Sequence, residues 1–313
     1  MTHKLWGNFL LFLLCTGLLT FCFAVISHAQ DEPQALKNRI AHLGFVYPLS
    51  TNGVNAAQYK NDFSFHALVG VSGAENAFCL SGITSIVKQD AQGVMISGIS
   101  NHVGGSMQGF QLAGIMNSAK NSKGVQLAGL INNAHDAGTQ VAGLINIAKK
   151  VKGIQLAALI NIADESDYPI GLINIIKNGE KQLGVSLDDA GSTILSFRSG
   201  GRILYGILGV GYNAQYPDAR YVIESGLGAH LPIIKHFRAN FEVTYSGLTD
   251  FHNDVFMKSS LKAMAAYKVS NRVELFAGPT INYSGLGNYK SSYDFFSMKN
   301  FYLGAIGGIQ FNL

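Results

Sequence analysis

Glu224, Glu242, Lys262, Arg272 and Glu274 fall on the polar side of a two-residue alternation in the last third of the chain. Carboxylates and cations gathered on one face of a closed sheet can set a local field that filters solutes in a lumen, or they can pair with one another and fill it. The sequence leaves both readings open. A second group, His230, His236 and His252 with Asp250 and Asp254, has the residue types for a metal centre or for a base beside the Ser246 hydroxyl. Its spacing matches no ligand or triad pattern, and solvated loop histidines are the plainer reading. The run GILGVG at Gly206 to Gly211 has the glycines of a dinucleotide loop but sits in a strand pattern with no helix after it. Asp188 and Asp189 read as a solvated turn. No catalytic, cofactor-binding or metal-binding residue is assigned, no cofactor is expected, and the chain is read as a non-enzyme.

The elements that must carry these charges are strands. In ANFEVTYSG, Ala239, Phe241, Val243 and Tyr245 alternate with Asn240, Glu242, Thr244 and Ser246. In RVELFAGPTINY, Val273, Leu275, Ala277, Ile281 and Tyr283 alternate with Arg272, Glu274, Thr280 and Asn282. Apolar outside with polar and charged inside is the pattern of a membrane barrel wall. Connections are short at Pro232 to Phe237 and at Ser270 and Asn271, and longer at Leu248 to Asp254 and Ser284 to Lys299. Tyr205, Tyr212, Tyr221, Tyr245, Tyr267 and Tyr283 lie near the expected strand ends, as an aromatic girdle requires.

The middle of the chain repeats itself. Nine-residue units begin at Ala77, Gly93, Gly109, Gly124, Gly138, Gly153 and Ser166, and three of them read GVQLAGLIN, GTQVAGLIN and GIQLAALIN. Glycine at the centre and flank of each unit argues against helix, where each would cost about 1 kcal/mol. Between Gly109 and Ile162 the ionised residues are Lys120, Lys123, Asp136, Lys149, Lys150 and Lys152, all between units, so strand interiors avoid charge and turns meet water.

Gln111, Gln126, Gln140 and Gln155, with Asn117, Asn132, Asn146 and Asn161, occupy fixed places in the unit. They can satisfy one another as structural ladders or form a sugar-binding lattice; buried amides need partners, which favours the ladder. Two architectures repeat such a strand and turn: an antiparallel up-and-down barrel, or a parallel solenoid with one coil per repeat. The unit is nearly palindromic about its central small residue, so both stackings are chemically acceptable. Counting from RIAHLGFVYPL gives an all-β transmembrane barrel of about sixteen antiparallel strands spanning 30–313, with repeat strands at about 77–177 and non-repeat strands at about 192–313. The alternative is a repeat solenoid followed by a barrel of about eight strands.

Residues 1–29 read as a signal peptide: Lys4 precedes a long apolar run that ends with Ser27 and Ala29. A retained anchor is the other reading of that run. Cys15 and Cys22 leave with such a leader, and Cys79, set among apolar residues, is expected to be a buried inert thiol. A formal net charge of +4 over 313 residues argues against a nucleic-acid partner. The expected location is the outer membrane or cell surface, with outer-membrane lipid as a partner. No extracellular ligand or solute can be named.

The final strand, FYLGAIGGIQFNL, resembles the carboxy-terminal strand by which outer-membrane barrels are recognised for assembly, with Leu313 where an aromatic is usual. This likeness implies the barrel-assembly machinery as a partner. The repeats, with PLSTNG at Pro48 to Gly53 and VGVSG at Val69 to Gly73, resemble the bacterial surface-repeat proteins built on GVQLAGLIN-type units. That resemblance covers roughly Ile40 to Asp189. It implies an outer-membrane or surface location and no particular activity: a structural, surface-interaction or passive pore role, or a surface-exposed solenoid adhesin.

Overall fold

The computed structural model describes residues 35–215, 220–251, 256–286 and 300–313. The leader expected over 1–29, His252, Asp254 and most of the loop expected at Ser284 to Lys299 lie outside the described residues.

Strands β1 to β15, from Lys37–Val46 to Ile173–Ile176, form a fifteen-stranded sheet wound as a solenoid. Apart from the antiparallel β1–β2 contact, its pairings are parallel and in register from one repeat to the next. Gln111, Gln126, Gln140 and Gln155 stack on one another, and so do Asn101, Asn117, Asn132, Asn146, Asn161 and Asn174. Each primary amide carries both donors and an acceptor, so parallel stacking lets every copy bond to the copies before and after it. Gln126 donates to Gln111 at 2.9 Å and Gln140 to Gln126 at 2.9 Å, while Asn117 donates to Asn132 at 3.1 Å and Asn132 to Asn146 at 3.0 Å. These side chains are fully buried, which makes them ladders and leaves no lattice open to a sugar.

The glycines that open successive bends at Gly98, Gly114, Gly129 and Gly143, with Ala158 taking the place in the next coil, fit this close stacking. A side chain at Gly129 would strike the carbonyl of Gly114, which sits at the same place one coil earlier. Cys79, 1% exposed, lies in the core of the early coils beside Met95.

The barrel follows: β16 (Lys181–Asp188), β17 (Ser192–Gly200), β18 (Leu204–Asn213), β19 (Tyr221–Ile234), β20 (Phe237–Thr249), β21 (Phe256–Lys268), β22 (Val273–Leu286) and β23 (Asn300–Asn312). All neighbours are antiparallel, and β16 closes the sheet by pairing with β23 from Gln182↔Asn312 to Asp188↔Ile306. The expectation of about sixteen barrel strands is therefore corrected to eight. The repeat strands belong to the solenoid, because a parallel register cannot join an up-and-down meander. The solenoid starts at Lys37, ahead of the first recognised repeat at Ala77, and the barrel starts at Lys181, ahead of position 192.

Candidate functional site in the barrel interior

Alternation along β20 sends Arg238, Asn240, Glu242, Thr244 and Ser246 inward, where all are buried, and leaves Phe241, Val243 and Tyr245 exposed on the outside. The same division runs around the barrel. Leu183, Val185, Leu195, Val210, Leu261 and Ile281 face out, while Gln182, Ser196, Glu224, Lys262, Glu274 and Thr280 face in. A water-soluble barrel would carry the reverse pattern.

The inward charges pair. Arg198 Nε donates to Glu242 Oε1 at 2.8 Å, and Tyr205 Oη donates to the same oxygen at 2.9 Å. Lys262 Nζ lies 2.8 Å from Glu224 Oε2, which also accepts from Ser246 at 3.2 Å. Arg238 forks onto Glu274 with two bonds of 2.7 Å and reaches Glu180 with a third of 2.7 Å. Lys258 bonds Asp188 at 2.5 Å. Fork geometry and multiple donors per carboxylate are what offset the large cost of taking such charges out of water.

These pairs fill the bore from one end to the other. Arg238–Glu274 lies near the short turns, Arg198–Glu242 and Lys262–Glu224 lie in the middle, and Lys258–Asp188 lies near the opposite rim, as the strand register dictates. A void of about 10 Å³ bordered by Glu224, Lys258 and Lys262 has room for about one water. At the short-turn rim a cleft of about 480 Å³ opens among Glu180, Arg202, His230, Arg238 and Lys268. Glu180 precedes the first barrel strand. Its burial would raise the carboxyl pKa, but the Arg238 guanidinium outweighs this and holds it below the usual carboxylate value.

Of the five residues selected from the sequence, Glu224, Glu242, Lys262 and Glu274 lie inside the barrel, and each has a charged partner there. Arg272 does not lie there. It is exposed in the turn between β21 and β22, because the strand begins at Val273 and the alternation cannot be continued back through the turn. Asp188 is likewise no solvated turn residue, since it binds Lys258 and its Oδ1 accepts from the backbone of Ala190 and Ser192. Tyr205 faces Glu242 inside the barrel, whereas Tyr212, Tyr221, Tyr245, Tyr267 and Tyr283 are exposed on the outside.

Arg198, Arg238, Lys258 and Glu180 complete the interior pairs beyond the five residues that the alternation names. The alternation Ile194, Ser196, Arg198 against Leu195, Phe197 carries the signal for Arg198, and the step from Asn240 back to Arg238 carries it for the second arginine.

The two described histidines of the group, His230 and His236, are not brought together. His230 is buried, stacks on Tyr205 at 4.1 Å and bonds Asn240 at 3.0 Å, whereas His236 is exposed in the β19–β20 turn. Among the described residues no group of three or more His, Cys, Asp or Glu is placed to hold a metal. The GILGVG glycines lie within β18.

A scan against protein-family models finds no match, and a search of curated proteins finds none. Among solved structures, a barrel from "De novo design of transmembrane beta-barrels" is similar at 15% identity and a TM-score of 0.28, covering 43% of this chain and 93% of that one. Neisserial surface protein A (NspA) is similar at 14% identity and a TM-score of 0.28, covering 43% of this chain and 95% of its own.

Proposed function

We propose that the chain is a non-enzymatic outer-membrane protein of the surface-repeat kind, in which a filled eight-stranded barrel anchors the solenoid to the membrane. The observation that carries this is the inversion of the barrel, with exposed aliphatic and aromatic side chains outside and buried ion pairs inside. Aromatic residues mark two levels on the outer wall. Phe237 and Tyr267 pair near the short turns, while Tyr245, Tyr283 and Phe301 lie in one register row toward the other rim. At ~3.3 Å per residue the stretch from Phe237 to Tyr245 runs roughly 26 Å along the strand, or about 20 Å along the membrane normal at the usual tilt of ~40°, which spans most of the ~25 Å apolar band of such barrels.

A passive pore is the weaker reading, because the inward cations and anions bond across the bore. The same pairing commits Glu242, Glu224 and Glu274 to structural work and supports a non-catalytic role. Barrels of this kind turn their short connections to the periplasm. The solenoid is attached at the rim that carries the short turns at 201–203, 235–236 and 269–272, which supports a periplasmic attachment and counts against a surface adhesin. Outer-membrane lipid and the barrel-assembly machinery are the proposed partners, the latter through β23 with Phe301, Leu303 and Leu313 exposed along one face.

The test is the mature chain, 30–313, refolded into lipid and then placed in planar bilayers. Heat-modifiable gel migration without conductance is expected. Discrete conductance steps would restore the pore, and failure to partition with membranes would remove the anchor.

A further inference from the structure

The solenoid too exposes apolar side chains. Its core joins stacked amides and small side chains to apolar ones such as Met95, Met107 and Ile176, and its outer surface is apolar along one edge and over parts of the strand faces, with the charges along the other edge. At each bend of the first kind a large aliphatic residue follows the glycine or alanine. Ile99, Ile115, Leu130, Leu144 and Leu159 are stacked by successive backbone hydrogen bonds of 2.9 Å, 3.1 Å, 3.1 Å and 3.3 Å, and each is more than a third exposed. At the other bend lie all the ionised residues between Ile83 and Lys177, lysines such as Lys120, Lys123, Lys149 and Lys152 interspersed with Asp90, Asp136, Asp164, Glu165 and Asp167, and Lys150 pairs with Glu165 at 3.0 Å. An apolar ridge of this length left in water would be an association hazard.

The last coil fixes how this amphipathic stack meets the barrel. Arg198 and Tyr205 point inward, so their neighbours Ser199 and Gly206, paired across β17 and β18, point outward. Both are nevertheless buried, because the last coil covers them. Asn174 bonds Ser199, and a side chain at Gly206 would run into the carbonyls of Gly171 and Leu172. The coils therefore stack away from the outer wall, sideways from the barrel.

The charged bend of that coil sits at the rim, with Asp167 3.6 Å from Arg202 in the β17–β18 turn. The apolar bend, at Gly171 and Leu172, sits farther along β18, toward the apolar belt.

We propose that the solenoid lies in the periplasmic leaflet beside the barrel, its Ile/Leu ridge in the acyl chains and its lysine-bearing edge among the anionic headgroups. This rests on the reading of the barrel as membrane-spanning. The ridge continues the barrel's apolar belt, and the edge of mixed charge lies at the depth of the rim, where headgroups and water solvate it and exposed lysines such as Lys120 and Lys123 reach phosphates. The solenoid is then a lateral wedge in one leaflet rather than an arm projecting into water.

The test uses the mature chain with Cys79→Ser and one new cysteine, labelled with bimane, at Leu130, Leu144, Lys150 or Val243. Each protein is refolded into phosphatidylethanolamine–phosphatidylglycerol vesicles and first checked for heat-modifiable migration. Quenching by lipids with brominated acyl chains is then compared with quenching by aqueous iodide added on both sides. Labels at Leu130, Leu144 and Val243 are expected to be quenched several-fold more by brominated lipid than the label at Lys150, which iodide reaches. If Leu130 and Leu144 respond to iodide alone while Val243 responds to brominated lipid, the wedge is wrong and the barrel stands. If Val243 also responds only to iodide, the membrane reading fails and the wedge falls with it.

Discussion

Asn174 donates its side-chain amide to the Ser199 carbonyl at 2.9 Å and its backbone N–H to the Ser199 hydroxyl at 2.9 Å. One residue thereby ends the solenoid's asparagine ladder and fastens it to the barrel wall, since Asn161 donates to its Oδ1 at 2.9 Å. Replacing it with Leu leaves buried acceptors unpaired, at a cost of about 1–3 kcal/mol. Asn174→Leu is expected to keep the barrel's heat-modifiable migration while exposing the 177–180 link to protease. Equal protease resistance in the variant and the parent would show that the fastening lies elsewhere.

Within the ladder, Asn132 is bonded on both sides and also donates to the Val141 carbonyl at 2.7 Å. Asn132→Ala removes three of these bonds from a fully buried position and should lower solenoid stability by roughly 2–4 kcal/mol. Asn133→Ala, on the exposed face one residue on, should change it by less than about 0.5 kcal/mol. Urea melts followed by circular dichroism separate the two.

In the barrel, Glu242→Gln strips the buried Arg198 of its counter-charge and is expected to cost about 3–5 kcal/mol. The variant should unfold at lower temperature in a gel-shift series. Arg272→Ala, in an exposed turn, should match the parent, whereas Arg238→Ala, which breaks the fork to Glu274, should not. An Arg272 effect as large as that of Arg238 would contradict the observed placement.

The first coils carry a pH dependence. Burial raises the Glu75 carboxyl to about 7, although Ser64 and Asn61 hydrogen-bond to it. Burial lowers His42 and His66 to about 4, with Arg39 adding to the first and His42 to the second. The two histidines bond each other at 3.1 Å. The histidine contribution is complete above their unfolded value near 6.5 and is lost as pH falls toward 4. The Glu75 contribution is complete below its unfolded value near 4.5 and is gone once pH has risen through 7.

Two histidines outweigh one carboxyl between 4.5 and 6.5, so resistance of residues 37–87 to protease should peak near pH 6.5. Each titrating group contributes about 1.4 kcal/mol per pH unit. Glu75→Gln should abolish the decline between 6.5 and 7, and a decline unchanged by that substitution would remove Glu75 as its source.

Much of this was legible in the residues themselves. The alternation around Phe241, Val243 and Tyr245 showed which side of each barrel strand is apolar, and the glycine-centred units announced repeated strands with buried amides. Local pattern sufficed there because side-chain direction in a strand depends only on residue parity. The tertiary structure alone decided that the repeats stack in parallel. A near-palindromic unit pairs acceptably either way, and the choice is made by contacts between residues fourteen to sixteen positions apart, such as Gln126 on Gln111.

It alone also decided which charges meet. Arg198 finds Glu242 across forty-four residues, and parity says nothing about which strand faces which across a closed bore. The turn that carries Arg272 outside, and the outward Ser199 and Gly206 that receive the solenoid, depend on where strands end and on what small side chains allow to approach.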